Sequence, residues 1–183
     1  MLKENLKNVQ NNIKKACERV GRKPEEVTLV AVSKMKPLSD IEELLETGQL
    51  EYGENYVQEL CDKYENISKP VHWHMIGHLQ TNKVKYIIDK VELIHSVDSL
   101  HLAKQIEKEA VKKGVDAQIL VQVNIAQEDT KFGIEHSRTE WFCEIIFGKI
   151  IFAGTIMVGN FMLHIVKACK SLFKGTWRKT ANK

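Results

Sequence analysis

Apolar residues at Leu2, Leu6, Val9, Ile13, Ala16 and Val20 recur at helical spacing, and Gly21 ends the run, so the chain opens on an expected helix over 2–20. The pattern then changes period. Thr28–Ser33 is a short β-branched and apolar run that reads as a strand, and Leu38–Glu46 returns to helical rhythm, with Ser39 or Asp40 near its start and Gly48 as its stop. A short strand around Leu50–Gly53 leads into a helix from about Asn55 to Tyr64. His72–Ile76 is the third strand, Asn82–Asp89 the third helix of this series, and Glu92–Val97 the fourth strand. Ser99–Lys113 is a long amphipathic helix closed by Gly114, and Gln118–Ile125 is a fifth strand. Thr139–Phe147 reads as helix and Ile150–Val158 as a sixth strand.

Strands of four to eight residues alternating with helices predict βα units and a parallel sheet. Two α/β architectures satisfy that order, an open doubly wound sheet and a TIM-like barrel. No GxGxxG or GxxxxGK[ST] follows any strand, so the glycine loops of nucleotide-binding open sheets are missing. Polar residues stand at the strand ends instead: Lys34, Asn55, Gly77-His78, Asp98 and Asn124. Barrels gather their chemistry at the carboxyl ends of the strands, which favours the barrel.

Composition narrows the class. The length of 183 residues suits one domain, and a net charge of +3 gives no motive for nucleic-acid binding. Cys17, Cys61, Cys143 and Cys169 form no CxxC pair, which points to reduced thiols in a cytoplasmic protein. The first residues lack the apolar core of a signal peptide. Charge is unevenly placed, with 19 Lys/Arg against 22 Asp/Glu up to His136 and 8 against 2 from Ser137 onward. The tail is therefore a different kind of sequence. Its uncharged stretch Ile150–Val166 is at the short limit for a membrane span. Gly154, Gly159, Asn160 and His164 divide it like a strand, a turn and a helix start, so no span is expected.

Few residues invite chemistry. Lys34 ends an apolar strand, where an ammonium group either escapes to water along its stem or serves as a Schiff-base-forming amine. His72 and His74 share one strand face, with His78 beyond it; a packed pair, a pocket lining and a metal site all remain open. Cys61 has no triad signature around it, Ser33 lies in no GxSxG elbow, and Lys131 falls in a polar loop where solvation suffices.

The segments VAVSKMKP, EYGENYVQE, HWHMIGHLQTNK, SVDS and VNIAQEDTKFGI, in this order and spacing, resemble the pyridoxal phosphate homeostasis protein family. The resemblance is strong from Leu2 to about Glu135, and 136–183 is a divergent tail of the same single domain. It implies an alanine-racemase-like N-terminal barrel with an extra N-terminal helix. It implies pyridoxal 5'-phosphate (PLP) joined to Lys34 as a Schiff base, with Asn55 beside the cofactor ring and His74 near the pocket wall. It further implies a cofactor carrier or buffer without known turnover, whose partners are PLP and apo PLP-enzymes. A racemase related through the same barrel is the alternative. Racemases of that type need a second domain carrying a catalytic tyrosine, for which 183 residues leave no room. A non-functional relic is the third possibility.

The tail departs from the family's pattern. After Leu163 there is no MGMS-like turn and no RxGxxxFG, the elements that resemblance would make the phosphate cup. The barrel is therefore expected to be incomplete, with about six of eight strands. It is expected to be a monomer prone to association through its open edge, covered by a helix from about Phe161 to Lys174. PLP affinity is expected to be reduced unless Lys167, Lys170 or Lys174 replaces a phosphate contact.

Overall fold

The computed structural model describes residues 1–125, 132–147, 155–158 and 161–163. Helix α1 (Leu2–Arg19) precedes a 3-10 turn at Pro24–Glu26, and strands and helices then alternate: β1 (Ala31–Val32), α2 (Leu38–Leu45), β2 (Glu51–Glu54), α3 (Val57–Asn66) and β3 (His72–Met75). They continue as α4 (Val84–Ile87), β4 (Val91–Val97), α5 (Leu100–Lys113), β5 (Ile119–Asn124), β6 (Ile134–Glu135), α6 (Thr139–Phe147), β7 (Thr155–Val158) and β8 (Phe161–Leu163).

The strands β1-β2-β3-β4-β5-β7 lie side by side in this order, all parallel. A doubly wound sheet reverses its strand order at a switch point, and this sheet does not. The hydrophobic core says the same. Ile41, Leu60, Ile87, Leu102 and Phe142, from five successive helices, join Tyr52, Trp73, Met75, Ile94, Val121 and Val123 in one cluster. Those helices pack on one face of the sheet, as in a barrel. The alternative left open by the pattern is resolved for the barrel type. Among the described residues β1 and β8 each have one strand neighbour.

Most element ends follow local chemistry. Ser99 caps α5 by accepting from the Leu102 amide at 3.3 Å, and Gly114 closes it at φ 66°, a left-handed position that a side chain would strain. The strand expected over Thr28–Ser33 shrinks to two ladder residues. Among the described residues it has a strand neighbour on one side, and the Leu29 carbonyl accepts from the Gln49 side-chain amide at 2.8 Å. Helix α3 starts at Val57, two residues later than expected, which leaves Asn55 in the bend after β2. The two-residue β6 was not expected; it pairs with the end of β5.

One expectation fails at the far end. Phe161–Leu163 is no helix start but an antiparallel strand, with Val158 opposite Phe161 and Ile156 opposite Leu163. Two residues, Gly159 and Asn160, separate the paired strands, a hairpin-type composition that outweighs the helical spacing beyond it. The rest of that expected helix, with Lys167, Lys170 and Lys174, lies outside the described residues, as does Lys131.

Candidate functional site

Register places the sequence candidates in layers. Tyr52, Trp73 and Met75 face the helices, so the alternating residues Glu51, Gly53, His72 and His74 face the inner side of the sheet. Val32 pairs with Gly53 and Gly53 with His74, so Lys34 and Asn55, each two residues further on, share the next layer toward the carboxyl ends. His74 lies one layer deeper, about 6.6 Å along the strand direction. Lys34 is exposed and Asn55 half-buried. Among the described residues the Lys34 amine has no hydrogen bond or ion pair. Gly77 packs on Asn55 so closely that a Cβ there would lie 2.7 Å from Asn55 Cα.

The turn carrying Lys34 is held from below by a buried polar cluster. Ser33 Oγ donates to Glu54 Oε1 at 2.6 Å, and Lys63 Nζ donates to the Ser33 carbonyl, Glu54 Oε1 and Glu59 Oε1, each at 2.7 Å. The Met35 amide donates to Glu59 Oε1 at 2.5 Å. All three ammonium protons of Lys63 are used, at a side-chain exposure of 7%, against 0% for Glu54. Glu54 Oε2 has no hydrogen-bond partner among the described residues. Met35 takes φ 58°, left-handed and costly for a residue with a Cβ.

The deeper layer is a relay of imidazoles around one carboxylate. Glu51 Oε1 lies 2.7 Å from His72 Nδ1, Glu51 Oε2 lies 2.6 Å from His74 Nε2, and His74 Nδ1 lies 2.8 Å from His95 Nε2. With neutral rings this pattern admits one set of tautomers. His74 must donate from Nε2 to the carboxylate, so its Nδ1 accepts from His95 Nε2–H, while His72 donates from Nδ1. Burial pushes the Glu51 carboxyl up, but the hydrogen bonds from His74 and His72 outweigh it and the net shift is downward. The hydrogen bond to Glu51 raises His72 against burial. Burial, with a smaller electrostatic contribution from the adjoining His74 ring, drives His95 down to about 4, so this ring stays neutral.

His78 is not part of this relay. Its Nδ1 lies 3.1 Å from Asp98 and its ring stacks on Phe132 at 3.9 Å. Burial raises the Cys61 thiol, which reduces its thiolate fraction, and its Sγ lies 3.6 Å from the Tyr86 carbonyl. A cavity of about 420 Å³ opens at the opposite, amino-terminal ends of β1 and β2, between α1 and the 48–51 turn; Glu51 lines it and Lys34 does not. Barrel chemistry belongs to the carboxyl ends, so the Lys34 layer rather than this cavity is the candidate site.

Sequence inspection missed Glu51, Glu54, Glu59, Lys63 and His95. One signal was available for Lys63: it falls on the face of α3 that carries Leu60 and leads to Ile67 at the helix's C-cap, where a charged residue needs a partner. The partner, Glu54, stands on the helix-facing side of β2 with Tyr52 and Trp73, and only the fold brings them together.

A sequential parallel sheet with helices on one face defines a barrel-type α/β protein. The family model described as alanine racemase, N-terminal domain, matches residues 5–177, and the chain belongs to that family. The pyridoxal phosphate homeostasis protein of Aquifex aeolicus (strain VF5) is 46% identical over 133 residues, covering 72% of this chain and 58% of the relative. Its counterpart in Escherichia coli (strain K12) is 39% identical over 135 residues, with the same coverage. The chain thus spans less than two thirds of the length of these relatives. The structure of PipY of Synechococcus elongatus PCC7942 with PLP bound matches at a TM-score of 0.65 and 24% identity, over 88% of this chain and 74% of that one, a likeness of fold.

Proposed function

We propose that the protein binds pyridoxal 5'-phosphate through Lys34 and serves PLP homeostasis as a cofactor carrier. The observation that carries this is the Lys34 amine, exposed at the carboxyl end of β1 and without an ion-pair partner among the described residues, in a chain 46% identical to a pyridoxal phosphate homeostasis protein. When bound, the cofactor would supply an aldehyde, an electrophile suited to condensation with a primary amine. The residues present fit such a group. Asn55 shares the layer of Lys34 as a half-buried amide able to donate and accept, and Gly53 and Gly77 keep side-chain bulk out of the adjoining backbone. His74 would act from one layer below. Both its ring nitrogens are engaged by Glu51 and His95, so it shapes the floor rather than reaching the cofactor.

Among the described residues no helix is long and apolar enough to cross a membrane. We place the protein in the cytoplasm, as a monomer handing PLP to apo PLP-enzymes. A carrier without turnover fits because both nitrogens of His74 are engaged and His95 is held neutral, which leaves neither ring free as a proton donor at the Lys34 layer.

The test is incubation with PLP, borohydride reduction and peptide mapping. A single adduct on Lys34, absent in Lys34→Ala, is expected; an adduct spread evenly over surface lysines defeats the assignment. Alanine racemisation with multiple turnovers, lost in Lys34→Ala, would replace the carrier by a racemase.

A further inference from the structure

Lys34 is flanked on both sides by residues tied to the buried cluster, while its own amine has no hydrogen bond or ion pair among the described residues. Ser33 gives its carbonyl to Lys63 and its hydroxyl to Glu54, and Met35 gives its amide to Glu59. Glu59 and Lys63 stand one turn apart on α3, so the helix grips the turn at two points through one ion pair.

Stability alone is a poor account of this cluster. Buried ion pairs lose more solvation than apolar side chains of the same volume, and one oxygen of Glu54 has no hydrogen bond among the described residues. The turn also lacks the glycine that a left-handed backbone favours. Met35 holds φ 58° while 84% exposed, so it gains little from packing; the Lys36 amide closes the turn on the Ser33 carbonyl at 3.0 Å, and the bond from the Met35 amide to Glu59 ties that turn to α3. Releasing the Met35 amide would free the Lys34–Met35 peptide plane and with it the φ and ψ of Lys34, which set its Cα–Cβ direction relative to the Asn55 layer.

We propose that Glu54, Lys63 and Glu59 are positioning residues for Lys34, a clamp that fixes the Ser33–Met35 backbone so that the free amine is presented over the inner layer containing Asn55. This rests on the function proposed above and adds the device that sets the amine's direction. None of the three touches the cofactor.

Glu59 is the residue to change. In Glu59→Ala the buried Lys63 keeps Glu54 as its counter-charge, so no lone buried charge is created. Two readouts are taken on the full chain: amide hydrogen exchange at Met35 without any ligand, and the rate of borohydride-trapped PLP labelling at Lys34. In Glu59→Ala the Met35 amide is expected to lose protection, and labelling at Lys34 to slow about tenfold, since misplacing a reacting group by an ångström costs up to about a hundredfold. The thermal midpoint should stay close to that of the unaltered chain. Glu59→Gln keeps an acceptor oxygen for the Met35 amide and should restore both readouts, a rescue that a general loss of stability would not give. Ser33→Ala, which removes one anchor without touching charge, should slow labelling in the same direction and serves if Glu59→Ala fails to fold.

Unchanged labelling in both alanine variants, Met35 protection that persists in Glu59→Ala, or a Glu59→Gln variant as slow as Glu59→Ala each overturns the clamp. If the unaltered chain shows no preference for Lys34, the proposed function falls and the clamp with it. That outcome is distinct from a chain that labels Lys34 but ignores these substitutions.

Discussion

Lowering the pH from 7 to 5 acts on the buried imidazole of His95. Burial holds His95 at about 4 in the folded chain, against an ordinary value of 6.5. Between those values the unfolded chain binds the proton and the folded chain does not, so stability is fully present above 6.5 and is lost as pH falls toward 4. At pH 5 the unfolded ring is nearly all protonated and the folded ring about a tenth, which amounts to a loss of about 2 kcal/mol relative to neutral pH. His72 acts in the opposite direction: its value is raised, so it adds stability below 6.5. At 43% side-chain exposure its share is screened and small. Glu51, whose carboxyl is lowered, contributes stability that is lost only below its ordinary 4.5, outside the window. Urea unfolding followed by far-UV circular dichroism, extrapolated to water at each pH, measures the slope. His95→Asn keeps a side-chain N–H that could reach His74 but does not titrate. Its stability at pH 7 is expected to be lower by about 1 kcal/mol, and its loss on going to pH 5 should shrink by about 2 kcal/mol. Parallel pH profiles for the two chains, or a rise in stability on acidification of the unaltered one, would refute the assignment of the loss to His95.

Further outcomes follow from packing and capping. Gly77→Ala drives a methyl group to 2.7 Å from Asn55 Cα, against backbone with nothing flexible to yield, and should cost about 2–3 kcal/mol in the same urea assay. Because the clash falls on Asn55, the variant should also lower PLP occupancy at Lys34 by equilibrium dialysis more than its stability loss explains. Ser99→Ala removes the α5 cap and should cost about 1 kcal/mol, with no change in labelling at Lys34; a neutral result would mean that the 3.3 Å bond to Leu102 carries no net stability.

The alternation of apolar runs was enough to order the elements. Helices with a clear stop or cap, such as α1 before Gly21 and α5 between Ser99 and Gly114, are legible because their signals lie within a few residues of the boundary. Lys34 is legible for the same local reason, a charge where an apolar strand ends. The residues that orient it are not. Glu54 becomes a buried partner of Lys63 only when α3 folds back over β2, and His95 meets His74 only because β3 and β4 are neighbours. A charged residue in sequence carries no mark of whether water or a distant chain segment will satisfy it, because that is set by contacts between elements. Strand β1 and the Phe161–Leu163 strand differ in length and type from what local pattern predicts on similar grounds: strand identity depends on a partner's hydrogen bonds, whereas a helix supplies its own. The sequence thus determined the order of elements and the exposed amine. The tertiary structure decided the barrel type and the buried charges beneath that amine, through pairings between residues far apart in the chain.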